Sequence, residues 1–168
     1  MEQRFERYSP DMDALHRGFR EKPCFLCEVA EGANELPQHF VYEDVSCFAI
    51  LDAYPKAYGY TLVAPKEHRE QATGDCSVDE YLALQRVVYR VAEAVREEVG
   101  AERVYLYSLG SNQGVAHAHW HVVPLPPGVP YGEQQSAWAS WSKGVLKMPR
   151  EEMAALAARL ARRVGGRT

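Results

Sequence analysis

The sequence has little cysteine, no long apolar run and no strong excess of charge. Its 168 residues include only four cysteines, which is too few for a disulfide framework in a chain of this length. No apolar run approaches the ~18 residues that a membrane helix needs, and the N-terminal residues show charge but no apolar segment typical of a secretory signal. These absences predict a cytoplasmic protein without a membrane segment.

The charge balance argues against one class of partner. The formal net charge is −4, from 19 basic and 23 acidic side chains. A mildly acidic chain is a poor binder of nucleic acid through phosphate charge alone, so we expect no nucleic-acid partner. Apolar residues make up 46% of the chain, a proportion typical of a folded protein, and the length favours one domain with a sizeable core.

The strand patterns predict an α+β fold. Segments rich in β-branched and aromatic residues predict five strands, two of them within 39–51 and the others at 58–65, 102–109 and 115–123. We expect the turn inside the first segment at Glu43 and Asp44. Because these strands surround one long helix and do not alternate with helices, a mainly antiparallel sheet is expected.

The longest helix is predicted at residues 78–99, where apolar side chains recur at three- and four-residue spacing. Ser77 and Glu80 have the spacing of a capping box, and Gly100 is a typical stop. Further helices are predicted at the two ends of the chain.

Residues 1–22 predict a peripheral helix that begins with Ser9 as its cap and Pro10 in its first turn. The last helix is predicted at about 149–164, with acidic residues in its first turn and basic residues near its end, as the helix dipole favours.

Three histidines alternate with apolar residues at His117, His119 and His121. In a strand, side chains two residues apart share a face and lie about 6.6 Å apart. Imidazoles need hydrogen-bond partners when buried, so three of them suit metal binding or phosphoryl chemistry better than packing. The alternative is an exposed histidine-rich strand without chemistry.

A polar turn precedes the histidines and contains Ser111, Asn112 and Gln113 between two glycines. Backbone N–H groups and short polar side chains in such a turn can hold phosphate oxygens. A plain hairpin turn is the alternative.

Cys24 and Cys27 form a Cys-x-x-Cys pair. Such a pair is either a redox dithiol or half of a zinc site, and the βαβ context of a thioredoxin-like dithiol is missing here. A zinc site needs two further ligands. The candidates are His16, His39, His68, Cys47, Cys76 and the three alternating histidines. The spacing alone leaves both possibilities open.

Taken together, these motifs resemble the histidine-triad (HIT) family. The similarity includes the cysteine pair, residues 41–44, 47–52 and 59–68, Asn112-x-Gly114 and the histidine segment, in the family's order. The resemblance covers residues 24–124 and implies an α+β fold with a five-stranded antiparallel sheet. With the helices predicted above, we expect a HIT-like fold that has one long helix and a C-terminal helix. The resemblance also divides the chain into an N-terminal extension (1–22), a HIT domain (23–130) and a C-terminal loop and helix (131–168).

The resemblance implies a homodimeric nucleotidyl hydrolase or transferase that acts at the α-phosphate of a purine nucleotide conjugate. His119 matches the nucleophile, which forms a nucleotidyl-histidine intermediate, and His121 matches the third histidine, which binds phosphate. The other substrate contacts that it implies are Asp52 for the ribose hydroxyls, Ile50 for the base, and Ser111, Asn112 and Gln113 near the phosphate.

In the zinc-containing branches of the family, the resemblance assigns a structural Zn²⁺ to Cys24, Cys27, His68 and His117. Such an ion would hold His117 and thereby orient His119 without entering the reaction.

A histidine at position 121 differs from the uridylyltransferase branch, which has glutamine there, and favours a hydrolase or phosphorylase. The expected substrates are dinucleoside polyphosphates or nucleoside phosphoramidates. The alternatives are a dinucleoside polyphosphate phosphorylase and a non-catalytic, zinc-stabilised nucleotide-binding module.

Overall fold

A computed structural model describes residues 5–34, 37–109, 115–134 and 140–165. The helices are α1 (Met12–Glu21), α2 (Phe25–Glu31), α3 (Val78–Val99) and α4 (Arg150–Gly165). The strands are β1 (Arg7–Tyr8), β2 (Phe40–Glu43), β3 (Cys47–Leu51), β4 (Thr61–Pro65), β5 (Arg103–Tyr107), β6 (Trp120–Leu125) and β7 (Val145–Leu146). Within these ranges, every helix is too short or too polar to cross a membrane.

The predicted α+β architecture is confirmed. Five strands form one sheet in the order β2-β3-β4-β6-β5, with antiparallel neighbours throughout. The register aligns one residue from each strand in a row across the sheet: Phe40, Ile50, Leu62, His121 and Tyr107. Since side chains opposite one another in a sheet share a face, His121 lies on the same face as Ile50.

The two long helices cover the opposite face of the sheet. Leu156 and Leu160 of α4 and Val91 of α3 are fully buried in a core with Val63 and Val122. Each such side chain stabilises the fold by about 1.5–3 kcal/mol when it is removed from water. This core leaves the histidine face free of α3 and α4.

Shorter segments cover the histidine face. Leu26 and Val29 of α2 pack on Phe48 and Ile50. At the other side of this face, Ala57 and Tyr60 in the connection between β3 and β4 pack on Val123 and Leu125. On this face, α2 therefore covers β3 and the 52–60 connection covers β6.

The signals at the ends of α3 are confirmed. The Ser77 side chain accepts a hydrogen bond from the Glu80 amide, and the Glu80 carboxylate accepts one from the Ser77 amide. Gly100 ends the helix in the left-handed region, with φ of 66°, where glycine carries no Cβ penalty.

The predicted start of the N-terminal helix was wrong. Asp11, not Ser9, caps α1, and its side chain accepts a 2.9 Å hydrogen bond from the Ala14 amide. The reason is a long-range pairing, because β1 forms a two-stranded sheet with β7 and keeps the chain extended up to this point. Helix α2 and strands β1 and β7 were not predicted from the sequence.

The predicted histidine strand also differs in its limits. The strand begins at Trp120 and not at 115, and it extends to Leu125. The chain enters it through a bend in which the Ala118 amide donates to the Arg69 carbonyl. Only His121 of the three histidines therefore lies in the sheet ladder.

Candidate functional site

Four potential metal ligands converge beside the start of β6. Cys24 and Cys27 lie at the start of α2, His68 follows β4, and His117 precedes β6. One donor atom from each lies within 4.8 Å of all the others. The Cys24 Sγ and Cys27 Sγ atoms are 3.4 and 3.5 Å from His117 Nδ1, and Cys27 Sγ is 3.3 Å from His68 Nδ1.

These separations fit a tetrahedral ion. Zinc–sulfur and zinc–nitrogen bonds of about 2.3 and 2.0 Å place neighbouring ligand atoms roughly 3.3–3.8 Å apart in a tetrahedron. A two-thiolate, two-imidazole set is a common structural zinc site. The donor chemistry and the spacing of Cys24, Cys27, His68 and His117 therefore suit Zn²⁺.

A backbone contact selects the tautomer that a metal needs. His117 is buried, and its Nε2 lies 2.9 Å from the Pro65 carbonyl oxygen. Because a carbonyl only accepts, Nε2 carries the hydrogen, and Nδ1 is left with its lone pair toward the two thiols. Burial lowers the pKa of His117 to about 4. The imidazole is thus a neutral, oriented ligand.

The Cys27 thiol lacks the lowered pKa of a reactive dithiol. Burial, followed by the neighbouring Cys24, raises the pKa of Cys27 to about 11. A reactive dithiol needs a lowered pKa, because the thiolate is the nucleophile. A bound cation reverses this preference, since it stabilises thiolates and releases their protons.

His119 is oriented by the backbone of the bend that precedes β6. Its Nδ1 lies 2.6 Å from the His117 carbonyl oxygen, so Nδ1 donates and Nε2 keeps its lone pair. The centroids of the His119 and His121 rings are 4.7 Å apart. Burial lowers the pKa of His119, and burial with the charges of His119 and Lys56 lowers that of His121 to about 3. Two neutral imidazoles therefore lie side by side.

Two tyrosines surround His121. The Tyr60 hydroxyl is 2.9 Å from His121 Nδ1 and 2.9 Å from the Tyr107 hydroxyl. The Tyr107 ring stacks on the imidazole with centroids 4.7 Å apart. Burial raises the pKa of both tyrosines, so both remain neutral donors. Tyr60 and Tyr107 fix the plane of His121.

Asp52 lies immediately after β3, beside the loop that carries Lys56. Its Oδ1 accepts a 2.8 Å hydrogen bond from the Tyr54 amide, and its own amide donates to the Tyr60 carbonyl. The residue therefore caps a turn. Among the described residues, Oδ2 has no hydrogen-bond donor. The second carboxylate oxygen is thus available to a ligand.

Ile50 lies on the histidine face but is fully covered. It is 1% exposed and packs with Leu26, Val29 and Phe48. It can support a base only as part of this apolar layer. Three further predicted site residues, Ser111, Asn112 and Gln113, lie outside the described residues.

Four residues of this region were not predicted from the sequence: Lys56, Tyr60, Tyr107 and Trp141. The alternation of Tyr105 and Tyr107 along one strand is a signal that could have placed an aromatic ring on the histidine face. Lys56 and Trp141 gave no local signal, since their contact joins positions far apart in the chain.

The chain belongs to the HIT family. The HIT domain model matches residues 33–127. Among curated relatives, the chain is 30% identical to the protein named Protein hit from Bacillus subtilis over 148 residues, which are 84% of this chain and 94% of that protein.

Two solved structures are also similar. One is a hypothetical histidine triad nucleotide-binding protein from Sulfolobus tokodaii, with a TM-score of 0.68, 28% identity and coverage of 85% of this chain and 93% of the other. The second is a Zn-bound histidine triad family protein from Mycobacterium smegmatis, with a TM-score of 0.66, 25% identity and coverage of 85% and 94%. Membership of this family supports a nucleotide-binding, hydrolase or transferase role.

Proposed function

We propose that this protein is a nucleotidyl hydrolase or transferase that cleaves purine nucleotide conjugates at the α-phosphate. One observation carries the proposal. The His117 carbonyl holds Nδ1 of His119 at 2.6 Å, so the lone pair of Nε2 is presented beside His121. An imidazole oriented in this way is an activated nucleophile.

In the proposed reaction, His119 Nε2 attacks the α-phosphorus. A P–N bond forms, and the P–O or P–N bond to the leaving group breaks. A polyphosphate leaves as its anion, whereas an amine leaves after it takes up a proton from solvent. The His117 carbonyl stabilises the positive charge that develops on the ring, because its hydrogen bond to Nδ1–H strengthens with that charge. Water then attacks the phosphorus, the P–N bond to His119 breaks, and the nucleoside monophosphate leaves with one proton released to solvent.

The other residues of the site bind the substrate in this proposal. His121 donates to a phosphate oxygen, with its ring held by Tyr60 and Tyr107. Asp52 accepts from the ribose hydroxyls, and the apolar layer around Ile50 lies against the base. Ser111, Asn112 and Gln113 complete the phosphate contacts.

Zinc has a structural role in this proposal. Cys24, Cys27, His68 and His117 would hold one Zn²⁺, which supplies charge stabilisation for two thiolates and fixes the bend before β6. The support comes from the donor set and from the Zn-bound relative.

There are two alternatives to hydrolysis: a different acceptor in the second step, or nucleotide binding without a reaction. A dinucleoside polyphosphate phosphorylase would use phosphate instead of water in the second step, and a non-catalytic zinc-stabilised module would bind nucleotide without turnover. Incubation with diadenosine tetraphosphate, with and without phosphate, separates them by the products. ATP with AMP indicates hydrolysis, ATP with ADP formed only with phosphate indicates phosphorolysis, and binding without turnover indicates a module.

We also propose that the protein is a cytoplasmic homodimer without a nucleic-acid partner. Each chain is proposed to consist of an N-terminal extension up to residue 22, a HIT domain up to residue 130 and a C-terminal segment. Apolar side chains exposed on the edge strand β5 and on α3, including Leu106, Leu82 and Tyr89, support a dimer. The four free cysteines suit a reducing compartment. Sedimentation analysis of the whole chain would test the dimer.

A further inference from the structure

Lys56 is a buried cation that forms no ion pair with any residue in the described part of the chain. It lies in the connection between β3 and β4, and only 6% of its surface is exposed. Its Nζ lies over two aromatic rings, 4.0 Å from the Trp141 centroid and 4.9 Å from the Tyr60 centroid. Among the described residues, no carboxylate forms an ion pair with it. The Asp52 carboxylate raises the pKa of Lys56 through its charge but does not form an ion pair with it.

Burying a cation in this way lowers the stability of the fold unless other interactions compensate for its lost hydration. The two rings provide part of that compensation through cation–π attraction. Asp52 contributes negative charge, but it forms no ion pair with Lys56 in the described part of the chain, and the neighbouring His121 is a neutral imidazole. Because Lys56 lies over the ring of Tyr60 and the Tyr60 hydroxyl bonds to His121, this positive charge lies near the histidine pair.

The surrounding chain holds this lysine in place. The Arg7 guanidinium donates to the Lys56 carbonyl at 2.9 Å and to the Gly144 carbonyl at 3.1 Å. Gly144 has φ of 70°, and a Cβ there would lie 2.7 Å from the Tyr8 carbonyl oxygen, so only glycine lets β1 approach position 144 this closely. Arg7 and Trp141 both lie outside the matched domain 33–127.

We propose that Lys56 is a phosphate-binding residue of this site, positioned by Trp141 from the C-terminal segment and by Arg7 from the N-terminal segment. The proposal rests on the proposed function, because the anion that completes the site is the phosphate of a nucleotide. It explains why the chain buries a lysine against the rings of Trp141 and Tyr60 near the histidine pair. It also gives the two end segments a role in the site.

The test compares ligands with and without a phosphate. Calorimetric titration of wild type, Lys56→Gln and Lys56→Met with AMP and with adenosine measures the phosphate's contribution. We expect both variants to bind AMP about 10- to 100-fold more weakly, the loss of one charged contact, and to bind adenosine as the wild type does. Lys147→Gln, an exposed lysine near the same segment, serves as the control and should change neither.

Trp141 provides a test of positioning. We expect Trp141→Leu to weaken AMP binding, Trp141→Phe to restore most of it, and neither change to add to the effect of Lys56→Gln. Equal AMP affinity in the wild type and the Lys56 variants would overturn the proposal. Equal weakening of AMP and adenosine would overturn it too, because it would show a structural role.

A failure of the proposed function gives a different result. In that case the wild type binds neither AMP nor adenosine, and thermal melting in inorganic phosphate tests Lys56 directly. Stabilisation of the wild type but not of Lys56→Met supports an anion site, and the absence of stabilisation overturns it.

Discussion

The hydroxyl of Tyr60 lies 2.9 Å from Nδ1 of His121, although the two residues are 61 positions apart in the sequence. Tyr60 directly precedes β4 and His121 lies in β6, so the pairing of these strands sets the distance. The bond directs Nε2 of His121 away from Tyr60. The side chain that is proposed to hold the phosphate is thus oriented by the sheet itself.

We predict that Tyr60→Phe lowers kcat/KM by about 10-fold, since loss of one buried hydrogen bond costs about 1–3 kcal/mol and 1.36 kcal/mol is tenfold in rate. Tyr105→Phe is the matched control, because its hydroxyl lies on the same face but bonds only weakly to Gln134, at 3.5 Å. Steady-state kinetics with diadenosine tetraphosphate would measure both variants. Equal activity of the two variants would show that the Tyr60 hydroxyl does not position His121.

His119→Ala should remove turnover while AMP binding and the melting temperature stay close to those of the wild type. The reason is that His121, the neighbouring imidazole, is tied to Tyr60 and does not replace the lost Nε2. Loss of covalent catalysis should cost several orders of magnitude in rate. His39→Ala, a histidine remote from the triad in sequence, is the control. Turnover at the wild-type rate in His119→Ala would exclude the nucleophile assignment.

The metal site predicts one zinc per chain, measured by elemental analysis of untagged protein. Cys27→Ser should lose the metal and lower the melting temperature, because the binding energy of the ion contributes to folding. Cys76→Ser is the control, since Cys76 lies outside the four-ligand cluster. Cys47 should remain a free thiol, since burial raises its pKa to about 12. A metal-free wild type with the same melting temperature would contradict a structural zinc.

Asp44 makes a pH-dependent contribution to stability. Its carboxylate accepts hydrogen bonds from the amides of Cys47 and Ser46 and from the Tyr42 hydroxyl. Burial raises its pKa, but these bonds outweigh burial and lower the pKa to about 2. A carboxyl with a lowered folded-state pKa stabilises the fold above its unfolded value of about 3.9, and this stability is lost as pH falls toward 2.

The stability difference between wild type and Asp44→Ala should therefore be largest near neutral pH and shrink between about pH 4 and pH 2. Urea unfolding at several pH values would measure it. Asp75, an exposed aspartate that accepts amide bonds in another loop, provides a comparison through Asp75→Ala. A difference that does not depend on pH would show that the ionised form of Asp44 is not what the turn requires.

The limits of a helix or strand could be predicted from the sequence where residues close in the sequence set them. The limits of α3 are set by Ser77, Glu80 and Gly100, which lie next to the helix ends, so sequence signals were sufficient. The start of β6 is set instead by a bond from Ala118 to the distant Arg69 carbonyl, and no local pattern shows it. The strand prediction therefore began several residues too early.

The same distinction applies to the site. The spacing of Cys24 and Cys27 indicated half of a metal site, and the family resemblance supplied His68 and His117. The contact between Lys56 and the Trp141 ring was not predictable, because the two residues lie far apart in the sequence. Packing between such distant segments depends on the assembled fold and leaves no local signature.

Asp52 has a role in the turn that follows β3 and a proposed role in binding the ribose, and substitutions can separate the two. Its Oδ1 caps the turn by accepting from the Tyr54 amide at 2.8 Å, and its other oxygen is proposed to accept from the ribose hydroxyls. Asp52→Ala should weaken AMP binding by about 10- to 100-fold and erase the preference for AMP over dAMP, since a charged hydrogen bond contributes about 1.5–3 kcal/mol. The same change should lower the melting temperature, because the turn loses its cap.

Asp52→Asn retains an oxygen for Tyr54 and should keep the melting temperature of the wild type while losing much of the preference for AMP. Calorimetric titration with AMP and dAMP and one melting curve for each variant decide the matter. If Asp52→Ala still prefers AMP to dAMP, Asp52 only caps the turn, and another group recognises the ribose.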